Sequence, residues 1–313
     1  MGQPISSAPP PRPPAWEERW AGRLFRLLSP RLPRQPQPDP PPSLAPWQSL
    51  RVPRLAHPAG GGTLSATWYE APAPARGAVL LLHPWVKWGK AYFQRGGRIE
   101  ALRAAGYHAM TLDLGGFGGS APSAGFYDRD VAAGLACLRQ RAGALPVHVW
   151  GLCSGGYWAH LALSGGGASG GAAAAGAFFE DVALHLFEWS WRMAPRWAPG
   201  YLFFRHAFPR SYRFLDLRRH AAALGLGAVA HVSGAQNRSV LPEETRELAR
   251  RADARWLIVP GAGHLGSFAQ ARAEVLALAL DTFQRAESVG DPSALRRREA
   301  IDLGELGRAQ LPG

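Results

Sequence analysis

The chain has 313 residues, 47% of them hydrophobic, with a formal net charge of +12 and a sequence pI near 10.7. That is enough apolar material for one large core, while no apolar run approaches the ~20 residues that a membrane span needs. The positive charge is nearly all arginine, the lysines being Lys87 and Lys90; the arginines are scattered and no nucleic-acid docking element accompanies them, which argues against a nucleic-acid partner and leaves attraction to anionic lipids or acidic substrates open.

Residues 1–47 read as a proline-rich arm, with clusters at Pro9-Pro10-Pro11-Arg12-Pro13-Pro14 and at Pro36, Pro38, Pro40, Pro41 and Pro42. Such chain stays extended. Between the clusters, Trp16-Glu-Glu-Arg-Trp20 and Leu24-Phe-Arg-Leu-Leu28 predict a short amphipathic, basic helix. It either docks on the rest of the chain, the favoured reading, or makes a peripheral membrane contact through residues 16–28. Met1-Gly2-Gln-Pro-Ile-Ser6 also fits a loose N-myristoylation pattern, informative only in a eukaryote.

Residues 48–285 read as one α/β domain. Leu50–Leu55 and Leu64–Tyr69 form an antiparallel pair leading into the main sheet. Apolar runs follow at Gly77–Pro84, which ends in a polar loop, and at Tyr107–Asp113, Pro146–Trp150, Gly176–Phe179 and Ala254–Val259. Helical patterns follow Lys90 and Asp128, and Cys137 lies in the second as a small buried apolar residue. Strands of this kind separated by helices predict a mostly parallel sheet covered on both faces. Ser164–Gly176 reads as a loop. Residues 182–222 form an aromatic and basic insertion holding Trp189, Trp191, Trp197, Tyr201, Phe203, Phe204, Phe208, Tyr212 and Phe214. Ordinary helix packing accounts for many of these; an apolar pocket for an acyl or aromatic group is the sharper reading. Residues 286–313 turn polar and read as a frayed tail.

Gly151-Leu152-Cys153-Ser154-Gly155-Gly156 carries the chemistry. Between a strand and a helix, small residues two before and two after a nucleophile make a nucleophile elbow, a turn too sharp for bulky flanking side chains. The spacing selects Cys153; Ser154 as nucleophile would put Leu152 where its side chain clashes. His264, in the Gly-flanked loop Pro260-Gly-Ala-Gly-His264, is the best base among the 10 histidines. His148, His160 and His231 ride in strand or helix patterns. No His/Cys/Asp spacing resembles a metal-ligand set, and no cofactor is expected.

With these motifs in order, the chain resembles the α/β-hydrolases over roughly residues 50–285. Asp113-Leu-Gly-Gly-Phe-Gly-Gly-Ser120 is similar to that family's Asp-x-x-Gly-x-Gly-x-Ser loop, His83-Pro84-Trp85 to its His-Gly-x oxyanion loop, and Gly263-His264 to its late catalytic histidine. The resemblance implies an α/β-hydrolase fold with a helical cap at about 182–222, and a structural role for His83. It implies oxyanion donors at the backbone N–H groups of Ser154 and Trp85, with Pro84 replacing the family's glycine. The family's acid usually follows the penultimate strand, where this chain carries Asn237. An amide oxygen suffices to orient the base beside a thiolate–imidazolium pair, as in papain-like proteases, so cysteine and asparagine make sense together. Glu180 and Asp181, after the preceding strand, are the alternative acids.

Dienelactone hydrolases resemble this chain in using cysteine at the elbow. The leading expectation is a hydrolase of an ester, lactone or thioester, working on a small-molecule acyl substrate with an apolar portion. An acyltransferase is the next reading, because polyhydroxyalkanoate synthases share the Gly-x-Cys-x-Gly-Gly box. A non-catalytic binding protein on a hydrolase scaffold is the third. The 2 cysteines and the lack of a secretory signal point to a reducing, cytoplasmic setting.

Overall fold

Each strand ends where its apolar run meets a polar or glycine-rich turn. The computed structural model describes residues 9–28, 37–54, 62–72, 74–123, 126–164, 174–193 and 198–289. Its strands are β1 (Trp47–Pro53), β2 (Thr63–Tyr69), β3 (Gly77–Leu82), β4 (Tyr107–Leu112), β5 (Val147–Leu152), β6 (Gly176–Glu180), β7 (Ala228–Gly234) and β8 (Arg255–Val259). They form one sheet in the order β1-β2-β4-β3-β5-β6-β7-β8. The β1–β2 and β2–β4 pairs are antiparallel and the others parallel. Every residue of β3, β5 and β6 is buried, which is why these central strands read as unbroken apolar runs.

The helices are α1 (Ala15–Leu28), α2 (Arg98–Ala104), α3 (Asp128–Ala142), α4 (Ser154–Leu163), α5 (Leu186–Met193), α6 (Ala198–Ala207), α7 (Pro209–Phe214), α8 (Pro242–Arg251), α9 (Ser267–Gln270) and α10 (Arg272–Ser288). α2, α9 and α10 bury Ile99, Leu102, Phe268, Val275 and Phe283 against one face of the sheet. α3, α4 and α8 bury Val131, Leu138, Leu161 and Leu248 against the other. α5, α6 and α7 form the insertion between β6 and β7.

Most aromatics of the insertion pack against one another. Phe187 stacks on Phe204 with ring centroids 3.9 Å apart, and Phe204, Phe214 and Tyr201 are buried. Phe203 and Trp191 are exposed. Trp197 lies outside the described residues.

α1 lies against α6 and α7 and on the start of α3. Glu17 accepts a hydrogen bond from the Ser211 N–H, while Arg12 bridges Glu18 and Asp128. α10 continues to Ser288, past the expected start of the tail, because Ala286 is buried and Glu287 bonds Arg76, Tyr107 and His148. The rest of that tail, the myristoylation pattern at residues 1–6 and most of the Ser164–Gly176 loop lie outside the described residues. No helix among the described residues is long and apolar enough to cross a membrane.

Candidate active site

Cys153 stands between β5 and α4 with φ 48° and ψ −116°, a backbone that costs a side-chain-bearing residue of order 1–3 kcal/mol. The neighbouring glycines make the bend sterically feasible. A Cβ on Gly151 would lie 2.5 Å from the Gly156 Cα, and one on Gly155 2.4 Å from the Leu82 oxygen. The backbone N–H groups of Ser154 and Trp85 lie within hydrogen-bonding reach of the Cys153 sulfur and favour its thiolate. His83 fixes the Trp85 loop: its Nε2 accepts from the Leu114 N–H (3.2 Å), so Nδ1 donates to the Pro84 oxygen (2.8 Å). Pro84 therefore leaves the donor at position 85 in place, on a loop clamped from two sides.

The parallel strands deliver the other candidates to the same edge of the sheet. Cys153 N donates to Glu180 O and Asp181 N to Val232 O, so the ends of β5, β6 and β7 lie side by side. Four non-glycine residues among those described have positive φ, and three belong to this edge: Cys153, Asp181 (54°) and Leu265 (58°). Strain of this kind concentrates where a side chain must be held out of the regular pattern.

Asp181 is the hub. It is 1% exposed. Its Oδ1 accepts from Ser233 Oγ (2.6 Å) and Asn237 Nδ2 (2.9 Å), and its Oδ2 from the Leu265 N–H (2.5 Å). Oδ2 also lies 3.8 Å from His264 Nδ1. Its charge reaches both candidate partners, raising the Cys153 pKa and supporting protonation of His264.

Two expectations from the sequence change here. Asn237 does approach the ring, its Nδ2 lying 3.2 Å from His264 Nδ1. Its Oδ1, however, is engaged by the N–H groups of Ser239 and Val240, both at 3.0 Å. Two backbone donors require an oxygen there, so Asn237 presents its amide NH2 to His264 and its oxygen to the following turn. An acceptor for Nδ1–H has to be Asp181. The second change concerns protonation. Burial first, and the Asp181 charge second, push the Cys153 thiol up to about 12, while burial lowers the His264 pKa. Both shifts favour a neutral thiol and a neutral imidazole over thiolate and imidazolium.

Glu180 and Asp181 separate cleanly. Glu180 ends β6 pointing toward α2, where Arg98 grips it with two bonds (3.1 and 2.9 Å) and Trp150 Nε1 donates to it (2.6 Å). It belongs to the core. Asp181 leaves the strand at positive φ and turns toward His264. Ser233 and Tyr92 had no sequence signal. The first reaches Asp181 across the β6–β7 pairing; the second, on the 3-10 turn Gly89–Gln94, lies within electrostatic reach of Cys153, Asp181 and Glu180.

Space around the sulfur is limited. Cys153, Ser154, Tyr157, Asp181, Ala183, Leu186, Trp189 and Val240 line a cavity of about 20 Å³ beneath the insertion. A cleft of about 610 Å³ opens on the other side, walled by Trp88, Tyr92, Leu265 and Phe268, with Arg95, Arg98 and Arg272 among its polar residues. The two linings share no residue, and the cleft residues Tyr92 and Leu265 are the ones that also lie near Asp181.

The backbone superposes on an esterase of Pyrococcus furiosus, Pf2001, with a TM-score of 0.63 over 81% of this chain and 98% of that one, at 17% identity. The chain has the α/β-hydrolase fold. This α/β-hydrolase fold also matches a puromycin hydrolase (TM-score 0.57, 17% identity, 80% of this chain and 41% of that one). A third match is the α/β hydrolase GrgF from Penicillium sp. sh18 (TM-score 0.54, 16% identity, 77% and 99%). No family model and no curated protein sequence matches the chain.

Proposed function

We propose that the protein is an acyl hydrolase that cleaves an ester, lactone or thioester through a covalent acyl–Cys153 intermediate. The observation that carries this reading is the convergence of the Ser154 and Trp85 N–H groups on the sulfur of a strained elbow. A buried carboxylate, Asp181, links that elbow to the His264 loop. Such donors stabilise a developing oxyanion, each worth about 10²–10³ in rate. The structural resemblance to an esterase and to a puromycin hydrolase points the same way.

Because burial favours the neutral thiol, attack requires general-base help. His264 takes the Sγ proton at Nε2 as the sulfur bonds to the acyl carbon. For this the ring must hold its hydrogen at Nδ1, so the Asn237 amide gives up Nδ1, the 3.8 Å separation from Asp181 shortens on substrate binding, and Asp181 offsets the imidazolium charge. The tetrahedral oxyanion sits on the N–H groups of residues 85 and 154. Its collapse expels the alcohol or thiol, which takes the proton from Nε2. Water, activated by the same imidazole, then opens the thioester, releasing the carboxylic acid and restoring the thiol. The apolar portion of the substrate takes the 610 Å³ cleft, whose size suits a small ligand; the 20 Å³ cavity at Cys153 holds little more than one water.

Intact-mass measurement with a panel of p-nitrophenyl esters tests the reading. An acyl adduct is expected on the native chain and none on Cys153→Ala, with burst release of nitrophenolate. Free acid as product supports a hydrolase, whereas an acyl group passed to an added alcohol or thiol in preference to water would mark an acyltransferase. No adduct and no turnover across the panel would leave the scaffold as a binding protein and end the hydrolase reading.

A further inference from the structure

α1 is amphipathic in an unusual sense: its acids face inward and its tryptophans face out. Glu17, Glu18, Ala21 and Gly22 are buried. Glu17 bonds the Ser211 N–H at the start of α7, and Glu18 pairs with Arg12 and Arg129. The outward stripe is Trp16, Arg19, Trp20 and Arg23, at positions i, i+3, i+4 and i+7 of one helical face. Trp16 is 54% and Trp20 56% exposed, and the Arg23 guanidinium lies 5.0 Å from the centre of a Trp20 ring.

The helices packed against α1 also expose apolar and basic side chains. α6 exposes Leu202 (42%) and Phe203 (59%) beside Arg205 and His206. α7 exposes Arg210 and Arg213. Neither helix contains an acidic residue. The neighbouring α5 adds exposed Trp191 and Met193, and its one acid, Glu188, is paired with Arg218. A single exposed leucine needs no explanation, but several large apolar side chains interleaved with arginines do.

We propose that the outward face of α1, together with the exposed face of α6, is a docking surface for a membrane rich in anionic lipid. Tryptophan rings favour the headgroup boundary, where an apolar body and a polar N–H are both accommodated, and the arginines meet lipid phosphates. The charge argues for lipid over an apolar protein partner: the stripe pairs its tryptophans with cations and turns the acids of α1 away from solvent. This surface belongs to the arm and the insertion, so the proposal stands whether or not Cys153 is catalytic.

Co-sedimentation of the full chain with vesicles of equal parts phosphatidylglycerol and phosphatidylcholine, against phosphatidylcholine alone, is the test. The native protein is expected to sediment with the anionic vesicles and to be released by 0.5 M salt. Trp16→Ala/Trp20→Ala and Arg19→Gln/Arg23→Gln are each expected to weaken the partition coefficient about tenfold, and Leu202→Ser/Phe203→Ser several-fold. All these side chains are exposed, and thermal melts verify that the variants stay folded. Arg246→Gln/Arg250→Gln on α8 removes the same charge elsewhere and is expected to change little. Absence of sedimentation with anionic vesicles would overturn the proposal, leaving an acidic protein as the partner to seek. So would equal losses in the α1 and α8 arginine variants, which would reduce the binding to net charge.

Discussion

The end of β6 sends two adjacent buried carboxylates into two differently built neighbourhoods. On the α2 side, Glu180 meets Arg98 in a two-bond grip with Trp150 closing the third direction. On the elbow side, Asp181 meets hydroxyl, amide and backbone donors, and its one cationic candidate is a histidine held 3.8 Å away. The first arrangement is saturated and can only hold. The second surrounds the carboxylate with neutral donors and leaves it room to answer a proton arriving on His264. Burial alone therefore does not mark a functional acid; the marker is a partner that can change its charge.

The strongest way to break this contrast is to neutralise each acid in turn. Asp181→Asn is expected to lower kcat/KM by about 10³–10⁴, by analogy with loss of the orienting acid in serine-hydrolase triads, while moving the melting temperature little. Steady-state ester kinetics beside thermal melts would show it, and near-native turnover would remove Asp181 from the site.

Glu180→Gln should behave in the opposite sense. It leaves the Arg98 charge buried without its counter-ion, a loss of roughly 3–5 kcal/mol of stability, read from the urea midpoint. The fraction that stays folded should retain most of its specific activity. A variant as stable as the native chain would show that the grip on Glu180 is ornamental.

Protonation sharpens the elbow side. With its pKa lowered by burial, His264 remains a neutral base below its usual 6.5, and kcat/KM should fall only as the pH drops through that depressed value. Since burial pushes the thiol up to about 12, no second limb is expected up to about pH 10, and iodoacetamide should label Cys153 slowly until strongly alkaline pH. Rapid labelling at pH 7 would mean that the thiolate is already formed.

The smallest effect is expected at Ser233→Ala. It removes one of three donors to Asp181, so activity should drop by about tenfold or less, in line with about 1 kcal/mol for a single hydrogen bond. A loss as large as that of Asp181→Asn would shift the orienting role from the carboxylate to its network.

The elbow was readable from the sequence because Gly151 and Gly156 crowd each other within one turn, whereas Gly155 is demanded by the Leu82 and His83 backbone at the end of β3, distant in the chain. The same holds for β3, β5 and β6, whose unbroken apolar runs follow from burial on both faces. Asn237 was readable as a position and misread as a group: its side chain is oriented by the N–H groups of Ser239 and Val240, a local turn whose geometry the residue names do not reveal. Between Glu180 and Asp181 the sequence offered no decision, since the choice depends on which side of β6 Arg98 and His264 occupy.

By itself, then, the sequence determined the bend at residue 153 and the parallel sheet that carries it. These depend on short-range sterics and on the pattern of apolar side chains. The tertiary structure alone decided that Asp181 faces His264, that Asn237 offers a donor, and that burial favours the neutral thiol. Those properties come from desolvation and from charges brought together across strands distant in the chain, and no spacing of residues encodes the dielectric they meet.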